Sequence, residues 1–169
     1  MAKRFKGIKI DLVISSRQKR SVQTARILNK VIGKRILYTK LINEIERPSE
    51  IHGERYDSPN TAKINAEIIA HSEDPSWHYS DEENIFDFSS RIGKFLKFLQ
   101  RRKEKSILVI AHGNVLRIIV AKLMFGEDFG IRKYYYMRFF KTINTGITEL
   151  ERNDGDWRLM TWNDHAHLS

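Results

Sequence analysis

Apolar residues recur along the chain as short unbroken runs, each followed by a repeat at helical spacing. The clearest run is Ile-Leu-Val-Ile-Ala at residues 107–111, and it predicts a strand that is buried on both faces. From Val115 to Met124 the apolar residues recur every three or four positions, which predicts a helix. His112 and Gly113 therefore lie on a tight turn between a strand and a helix.

The same arrangement occurs near the start of the chain. Residues 8–14 end in a second apolar run, and Ser15 and Ser16 follow it as predicted N-caps of a helix that ends at Gly33. The apolar face of this helix carries Val22, Ala25, Leu28 and Ile32. Residues 35–39 then predict a third strand, so the strands are expected to be parallel and joined by helical crossovers.

The remaining pattern completes an α/β fold. A long loop is predicted over residues 41–60, a helix over 59–70, and an amphipathic helix from Asp81 with its apolar stripe facing the core. Two β-like runs flank Asn-Asp-Gly-Asp at 153–156, a strong hairpin signal. We predict a three-layer α/β/α fold, with a mostly parallel sheet, helices on both faces and an antiparallel C-terminal edge hairpin.

Composition narrows the class of protein. The 169 residues are 41% hydrophobic, enough for one domain over residues 1–169 with a real core. The absence of cysteine excludes disulfides and thiolate metal sites. His165 and His167 could chelate a metal, but a frayed tail is the preferred interpretation. Without a membrane-length apolar run or a signal-peptide core, we expect a cytoplasmic protein with no membrane partner.

The formal net charge is +9, which raises the question of an anionic partner. The cations are spread along helices, so solvated helix faces or attraction of small anionic substrates explain the charge without nucleic acid. The aromatic and basic segment 131–140 could stack nucleobases, but we expect it to cover an active site instead.

Charged residues at the two strand-to-helix turns suggest an anion site. The carboxyl end of a parallel strand meets the amino end of a helix there, and the helix dipole favours a negative charge. His112 lies on one of these turns, and the alternative to an anion-binding role is that it only caps the turn. The other strand-to-helix turn is followed by three cations in the first turn of the helix: Arg17, Lys19 and Arg20. Cations at this end are unfavourable for the helix dipole, which an anion bound between them would explain; solvated surface charge is the alternative.

The loop between these turns supplies candidate proton donors. They are four carboxylates, each of which could equally be a solvated surface group: Glu44, Glu46, Glu50 and Glu54.

The motifs in this order resemble those of the histidine phosphatase superfamily, the phosphoglycerate mutase-like family. The residues that carry the resemblance are Ser15-Ser16-Arg17-Gln18-Lys19-Arg20-Ser21-Val22-Gln23-Thr24-Ala25 and Ala111-His112-Gly113-Asn114-Val115-Leu116-Arg117, with Asn144-Thr-Gly-Ile-Thr-Glu-Leu150 and Asn163-Asp164…His167-Leu168. The resemblance extends from about Ile10 to the C-terminus.

The resemblance implies a phosphate site that needs no cofactor. By it, Arg20 grips the transferred phosphoryl group and His112 donates a hydrogen bond to its developing charge. The backbone N–H groups of Gly113 and Asn114 support the same group.

A general acid is implied in the same way. Ile42-Asn43-Glu44 is similar to the family's leucine-x-glutamate step, which makes Glu44 the candidate, with Glu46 as the fallback. Acid duty requires a raised pKa, which partial burial and a neighbouring carboxylate could supply.

The chain departs from the family at its N-terminus. Members begin with a strand ending in arginine-histidine-glycine, whose histidine is the nucleophile, and no such triplet precedes Ser15. The domain is therefore expected to be N-terminally incomplete, with the first family strand absent. The resemblance implies that this strand lies between the strand that precedes Ser15 and neighbours that include the strand before His112. Without it, ladder groups on the flanking strands would be unpaired unless the remaining strands close up, another chain fills the gap, or the native polypeptide begins further upstream, which is the preferred alternative.

These observations predict phosphoryl transfer from small phosphomonoesters through a phosphohistidine whose nucleophile is not in this chain, which would be inactive alone. The choice between phosphatase and mutase activity stays open, as do the substrate and the oligomeric state. A non-catalytic phospholigand-binding remnant is the alternative, and a nucleic-acid-binding basic protein ranks third.

Overall fold

The computed structural model describes residues 1–126 and 129–168. The strands are β1 (Leu12–Ser16), β2 (Ile36–Thr39), β3 (Ile107–Ile110), β4 (Ile147–Asn153) and β5 (Asp156–Asp164). The helices are α1 (Lys19–Ile32), α2 (Pro59–Ala70), α3 (Ile85–Gln100), α4 (Gly113–Phe125) and α5 (Ile131–Tyr136). Within the described residues, no helix has both the length and the apolar character needed to cross a membrane.

The main sheet has three parallel strands in the order β2-β1-β3. Val13 of β1 lies between Ile36 of β2 and Leu108 of β3 in the register of the sheet. The run of buried residues along β1 is typical of a strand covered on both faces, as predicted for a parallel sheet. The mixed α/β class is confirmed.

Alternate residues of β1 point to opposite helical layers, because side chains alternate along a strand. Val13 packs with Ala25 and Leu28 of α1 on one face. Leu12 and Ile14 face the other layer, which α3 and α4 build from Phe88, Ile92, Phe95, Leu96, Val115, Ile118 and Ile119. The α/β/α layering that the periodicity predicted is thus present.

The predicted C-terminal hairpin forms between β4 and β5. Its turn residues Asp154 and Gly155 have φ values of 50° and 95°, as a type I′ turn requires. Within the described residues these two strands pair only with each other and form a sheet of their own, instead of extending the edge of the main sheet. Ile147 at the start of β4 still packs against the cluster that contains Ile110.

The sheet does not open beside β1, and of the alternatives to unpaired ladder groups the structure has the closed arrangement of the remaining strands. β1 pairs with β2 along one edge and directly with β3 along the other, from Leu12 opposite Ile107 to Ser15 opposite Ile110. Because the two strands lie side by side, the ladder of β1 is complete. Among the described residues, β2 and β3 are the two edge strands of this sheet, each paired only with β1.

Two of the C-terminal motifs meet at Gly146. A Cβ atom at this position would lie 2.0 Å from Asn163 Oδ1 and 3.1 Å from the Ile143 carbonyl oxygen. Asn163 uses that same oxygen to accept the N–H of Ile143 at 2.9 Å. A glycine is therefore needed at 146 because the side chain of Asn163 occupies the space.

The serines that follow the first strand do not cap α1. Ser15 and Ser16 are the last residues of β1, and Gln18 is the N-cap. The prediction of serine N-caps was wrong because the strand extends two residues further than its apolar run. Both serines are buried, which brings the Ser16 hydroxyl into the interior beside His112.

Candidate functional site

The two strand-to-helix turns meet at one edge of the sheet, because β1 and β3 are parallel neighbours. Arg20, in the first turn of α1, crosses to the turn that follows β3. Its Nε donates a hydrogen bond of 3.0 Å to Nδ1 of His112. The structure thus brings together two candidates that are 92 residues apart in sequence.

The hydrogen bonds of His112 define its protonation. Since Nδ1 accepts from Arg20, the proton of a neutral ring lies on Nε2. Nε2 is 2.9 Å from Ser16 Oγ and 3.2 Å from Ser21 Oγ, so it can donate to either hydroxyl. Both ring nitrogens are engaged, and the donor role predicted for His112 requires a proton to be added at Nδ1.

The surroundings of His112 oppose that charge. The residue is 8% exposed. Burial is the main cause that lowers its pKa from 6.5 to about 4, and the positive charges of Arg20 and Arg91 add to the effect. The ring is therefore neutral at pH 7 while the site holds no anion.

The lowered pKa of His112 predicts acid sensitivity. Unfolded chains protonate this histidine near pH 6.5 and the folded protein near pH 4, so the free energy of unfolding falls as the pH drops through this window. We expect His112 to contribute a loss of about 3 kcal/mol across it. Urea unfolding at pH 7 and pH 4, compared with His112→Gln, measures the contribution; an equal pH dependence in both proteins would contradict it.

The Ser16 hydroxyl ties three parts of the chain together. It accepts the backbone N–H of Gln18 at 3.1 Å and donates to Asn43 Oδ1 at 3.1 Å. Asn43 Oδ1 also accepts the N–H of Arg17 at 3.1 Å. The segment after β2 is thereby held against the turn that begins α1.

Glu44 follows Asn43 and reaches the start of α4. Its Oε2 accepts the N–H of Asn114 at 3.4 Å, and its Oε1 accepts the N–H of Ile45 at 3.0 Å. Burial raises the pKa of this carboxyl, against the opposing effects of the two N–H groups and of the Arg20 and Arg117 charges. We had expected a neighbouring carboxylate to contribute to the raised pKa of Glu44, but the main described cause of the rise is burial.

The other three loop glutamates have described hydrogen bonds to parts of the chain other than the start of α4. Glu46 is exposed, and its backbone carbonyl accepts a hydrogen bond from the N–H of Glu83. Glu50 accepts from the Ser80 hydroxyl. Glu54 accepts from side chains at the start of α2, namely Ser58, Asn60 and Thr61. The geometry thus favours Glu44 over the fallback Glu46.

Gly113 and Asn114 already belong to the first turn of α4, two residues before the apolar spacing that predicted this helix begins. Arg117, one turn later, donates to Asn114 Oδ1 at 3.0 Å and to Thr142 Oγ1 at 3.4 Å. A Cβ atom on Gly113 would lie 2.8 Å from Thr142 Oγ1, so glycine lets the 140s segment approach the helix. The N–H groups of this turn, the α4 dipole and the two arginines Arg20 and Arg117 make the site suited to an anion.

The aromatic segment 131–140 contributes Tyr134 to this region. Tyr134 packs against the cluster between the sheet and α4. Burial raises the pKa of its hydroxyl, and the negative charge of Glu44 adds to this rise. Tyr134, from the segment predicted to cover the site, therefore lies within electrostatic range of the candidate acid.

The other five histidines are engaged elsewhere. His52 contacts the Arg47 carbonyl, His71 stacks on Trp77, His78 contacts Asp87, His165 contacts the Asn163 carbonyl and His167 contacts Thr145. No group of three or more histidines and carboxylates in residues 1–126 and 129–168 is placed to hold a metal ion.

Three contributors to the site were missed in the sequence. Gln18 accepts from Arg20 Nη2 at 3.4 Å and from the Glu44 N–H at 3.2 Å, and it thus joins the two candidates. Asn43 and Arg91 were missed as well. Gln18 and Asn43 lie within motifs that carry the resemblance, so a signal for them was present, whereas nothing near Arg91 pointed to the site.

Comparison with known proteins identifies a family. Residues 1–165 match the family model of the histidine phosphatase superfamily (branch 1). The protein named "Probable phosphatase C1687.21" of Schizosaccharomyces pombe is 29% identical to this chain, over 99% of the chain and 78% of that protein.

Solved structures share the fold. Bacillus stearothermophilus YhfR matches with a TM-score of 0.78 and 16% identity, over 99% of this chain and 81% of that one. A mycobacterial glucosyl-3-phosphoglycerate phosphatase, solved in complex with inorganic phosphate, matches with a TM-score of 0.74 and 20% identity, over 95% and 80%.

Proposed function

The chain belongs to the histidine phosphatase superfamily, and from this premise we propose that it takes part in phosphoryl transfer from small phosphomonoesters. The observation that carries the proposal is the contact between Arg20 and His112 at the start of α4. An arginine on one turn and a histidine on the other can hold a phosphate between them. The net charge of +9 favours the approach of an anionic substrate.

Phosphate would replace the bond between Arg20 and His112. Arg20 turns its guanidinium to the phosphate oxygens, which frees Nδ1 of the ring. A nearby dianion favours the charged ring, so Nδ1 takes up a proton and donates it in a hydrogen bond to phosphate. The N–H groups of Gly113 and Asn114 complete the cradle, once the carboxylate of Glu44 leaves the latter.

Glu44 would serve as the general acid. Its raised pKa keeps a larger fraction of the carboxyl protonated near neutral pH than at an exposed position. Its hydrogen bond to the Asn114 N–H supports a location beside the phosphate cradle. From there it could protonate the oxygen of the leaving alcohol.

The nucleophile would be a histidine outside these 169 residues, on an arginine-histidine-glycine segment of the family type. The ester P–O bond breaks and a P–N bond to that histidine forms, while Glu44 gives its proton to the departing alkoxide. Water then attacks the phosphorus, the P–N bond breaks and Glu44 takes the proton of the water. The five other histidines of the chain all contact partners other than His112, which supports a nucleophile outside these residues.

The test measures phosphate binding and turnover separately. We expect the 169-residue chain to bind inorganic phosphate by calorimetry but not to hydrolyse p-nitrophenyl phosphate. The chain extended at its N-terminus by a segment ending in arginine-histidine-glycine should hydrolyse it, and His112→Gln should abolish this activity.

Three outcomes would contradict parts of the proposal. Absence of phosphate binding would remove its basis. Hydrolysis by the 169-residue chain that depends on His112 would overturn the external nucleophile. Binding without turnover by the extended chain would favour the alternative, a protein that binds phospholigands without catalysis.

A further inference from the structure

Arg91 of α3 binds the backbone of a segment that lies far from it in sequence. Its Nη1 donates to the carbonyl oxygens of Lys40, Leu41 and Asn43 at 3.2, 2.9 and 3.0 Å. These carbonyls immediately precede Glu44. One guanidinium nitrogen thus gathers the turn that leads from β2 into the candidate site.

The other side of the guanidinium is anchored by Glu83. Nε and Nη2 donate to the two oxygens of this carboxylate at 2.6 and 2.5 Å, and the guanidinium lies 5.0 Å from the centre of the Phe88 ring. The side chains of Arg91 and Glu83 are only 19% and 14% exposed. A bidentate pair in such surroundings has little freedom to rotate.

Glu83 also holds the far end of the same segment. Its backbone N–H donates to the carbonyl of Glu46 at 3.1 Å. The segment 40–46 is therefore fixed at its beginning by Arg91 and at its end by Glu83. Glu44 lies between the two attachments.

We propose that Arg91 is a positioning residue, which holds segment 40–46 so that Asn43 and Glu44 meet the two turns of the site. The inference rests on the proposed function for its meaning in catalysis, but its geometry does not depend on it. Asn43 Oδ1 binds the Ser16 hydroxyl, and that hydroxyl faces Nε2 of His112 at 2.9 Å. The guanidinium thus acts on the histidine through two intervening side chains.

The fork shape of the guanidinium matters more than its charge in this role. A lysine at 91 would keep the positive charge but could not bond three carbonyls and both carboxylate oxygens in the same planar arrangement. Arg91→Lys consequently separates positioning from charge. His112 should keep the electrostatic influence of residue 91 while losing the orientation of the Ser16 hydroxyl.

Arg102 provides a matched control on the same part of the molecule. It makes a similar bidentate pair with Glu104, at 3.0 and 2.5 Å, and lies 5.5 Å from the centre of the Phe98 ring. Among the described residues its side-chain hydrogen bonds go to Glu104 and not to a carbonyl of segment 40–46. Arg102→Lys therefore loses an equivalent ion-pair geometry without touching the site.

The experiment follows NMR signals in the intact chain and its affinity for inorganic phosphate. In Arg91→Lys we expect the amide signals of Arg17 and Asn114 and the ring nitrogens of His112 to shift, and phosphate to bind about tenfold more weakly. In Arg102→Lys these signals should stay in place and the affinity should change less than about twofold. The free energy of unfolding of each variant is measured alongside.

A loss of stability in Arg91→Lys with unchanged site signals and unchanged phosphate affinity would overturn the inference. If that variant does not fold, Glu83→Gln replaces it, because it keeps the guanidinium but weakens its anchor; smaller shifts of the same signals are expected, and their absence counts against positioning. If the unmodified chain binds no phosphate, the proposed function fails, while the NMR signals still decide the role of Arg91.

Discussion

Replacing Arg20 by glutamine is expected to weaken the binding of inorganic phosphate by at least about 100-fold. The guanidinium would give two charge-assisted hydrogen bonds to the phosphate oxygens, and their loss costs about 3 kcal/mol or more. A difference of 1.4 kcal/mol corresponds to a factor of about ten in affinity, which gives the expected change. Calorimetric titration with phosphate at pH 7 measures it.

Arg17→Gln is the matched control for this change. It removes the same charge three residues away, on an exposed side chain, and keeps the backbone N–H that donates to Asn43. We expect its phosphate affinity to fall by less than about threefold, since the described side-chain contact with His112 belongs to Arg20 and the charge of Arg17 acts through solvent. Equal losses in both variants would mean that general positive charge, and not the geometry at His112, holds the phosphate.

Replacing Phe95 by alanine is expected to give the largest loss of stability. Phe95 is fully buried in the cluster between α3, α4 and the sheet. Truncating a buried phenylalanine removes its transfer free energy and leaves a cavity, at a cost of about 3–5 kcal/mol. Urea unfolding at pH 7 measures the change in the free energy of unfolding.

Phe86 on the same helix is the control for Phe95. Its side chain is 37% exposed, so Phe86→Ala removes less buried surface and should cost about 1 kcal/mol. Similar losses for the two variants would mean that the cluster repacks around the missing ring. A loss below about 2 kcal/mol in Phe95→Ala would contradict the central place given to this cluster.

Local patterns predicted most of the secondary structure. The helix predicted over residues 59–70 matches α2 (Pro59–Ala70), and the hairpin signal at 153–156 lies at the turn between β4 and β5. These features depend on neighbours in sequence, such as Ser58, which caps α2 by accepting the Thr61 N–H. The pairing of distant strands depends on no such neighbours, so the sequence left open whether β1 and β3 lie side by side.

In the site too, features that follow from the strand-to-helix turns could be predicted and features that depend on other distant residues could not. The meeting of Arg20 with His112 could be anticipated, because turns after neighbouring parallel strands open on one edge. The protonation of His112 could not, since it follows from the contact of Nδ1 with Arg20 and from the burial of the ring. The contacts of Arg91 span 48 to 51 residues, and no local pattern encodes such a distance.

The separation of the hairpin from the main sheet has a consequence for local opening. Among the described residues, β4 and β5 share backbone hydrogen bonds only with each other, and side chains such as Ile147 and Leu150 attach them to the core clusters. The hairpin can therefore open without breaking the ladders of β1. Amide hydrogen exchange should divide the protein into two cooperative units, with faster exchange in the hairpin than along β1.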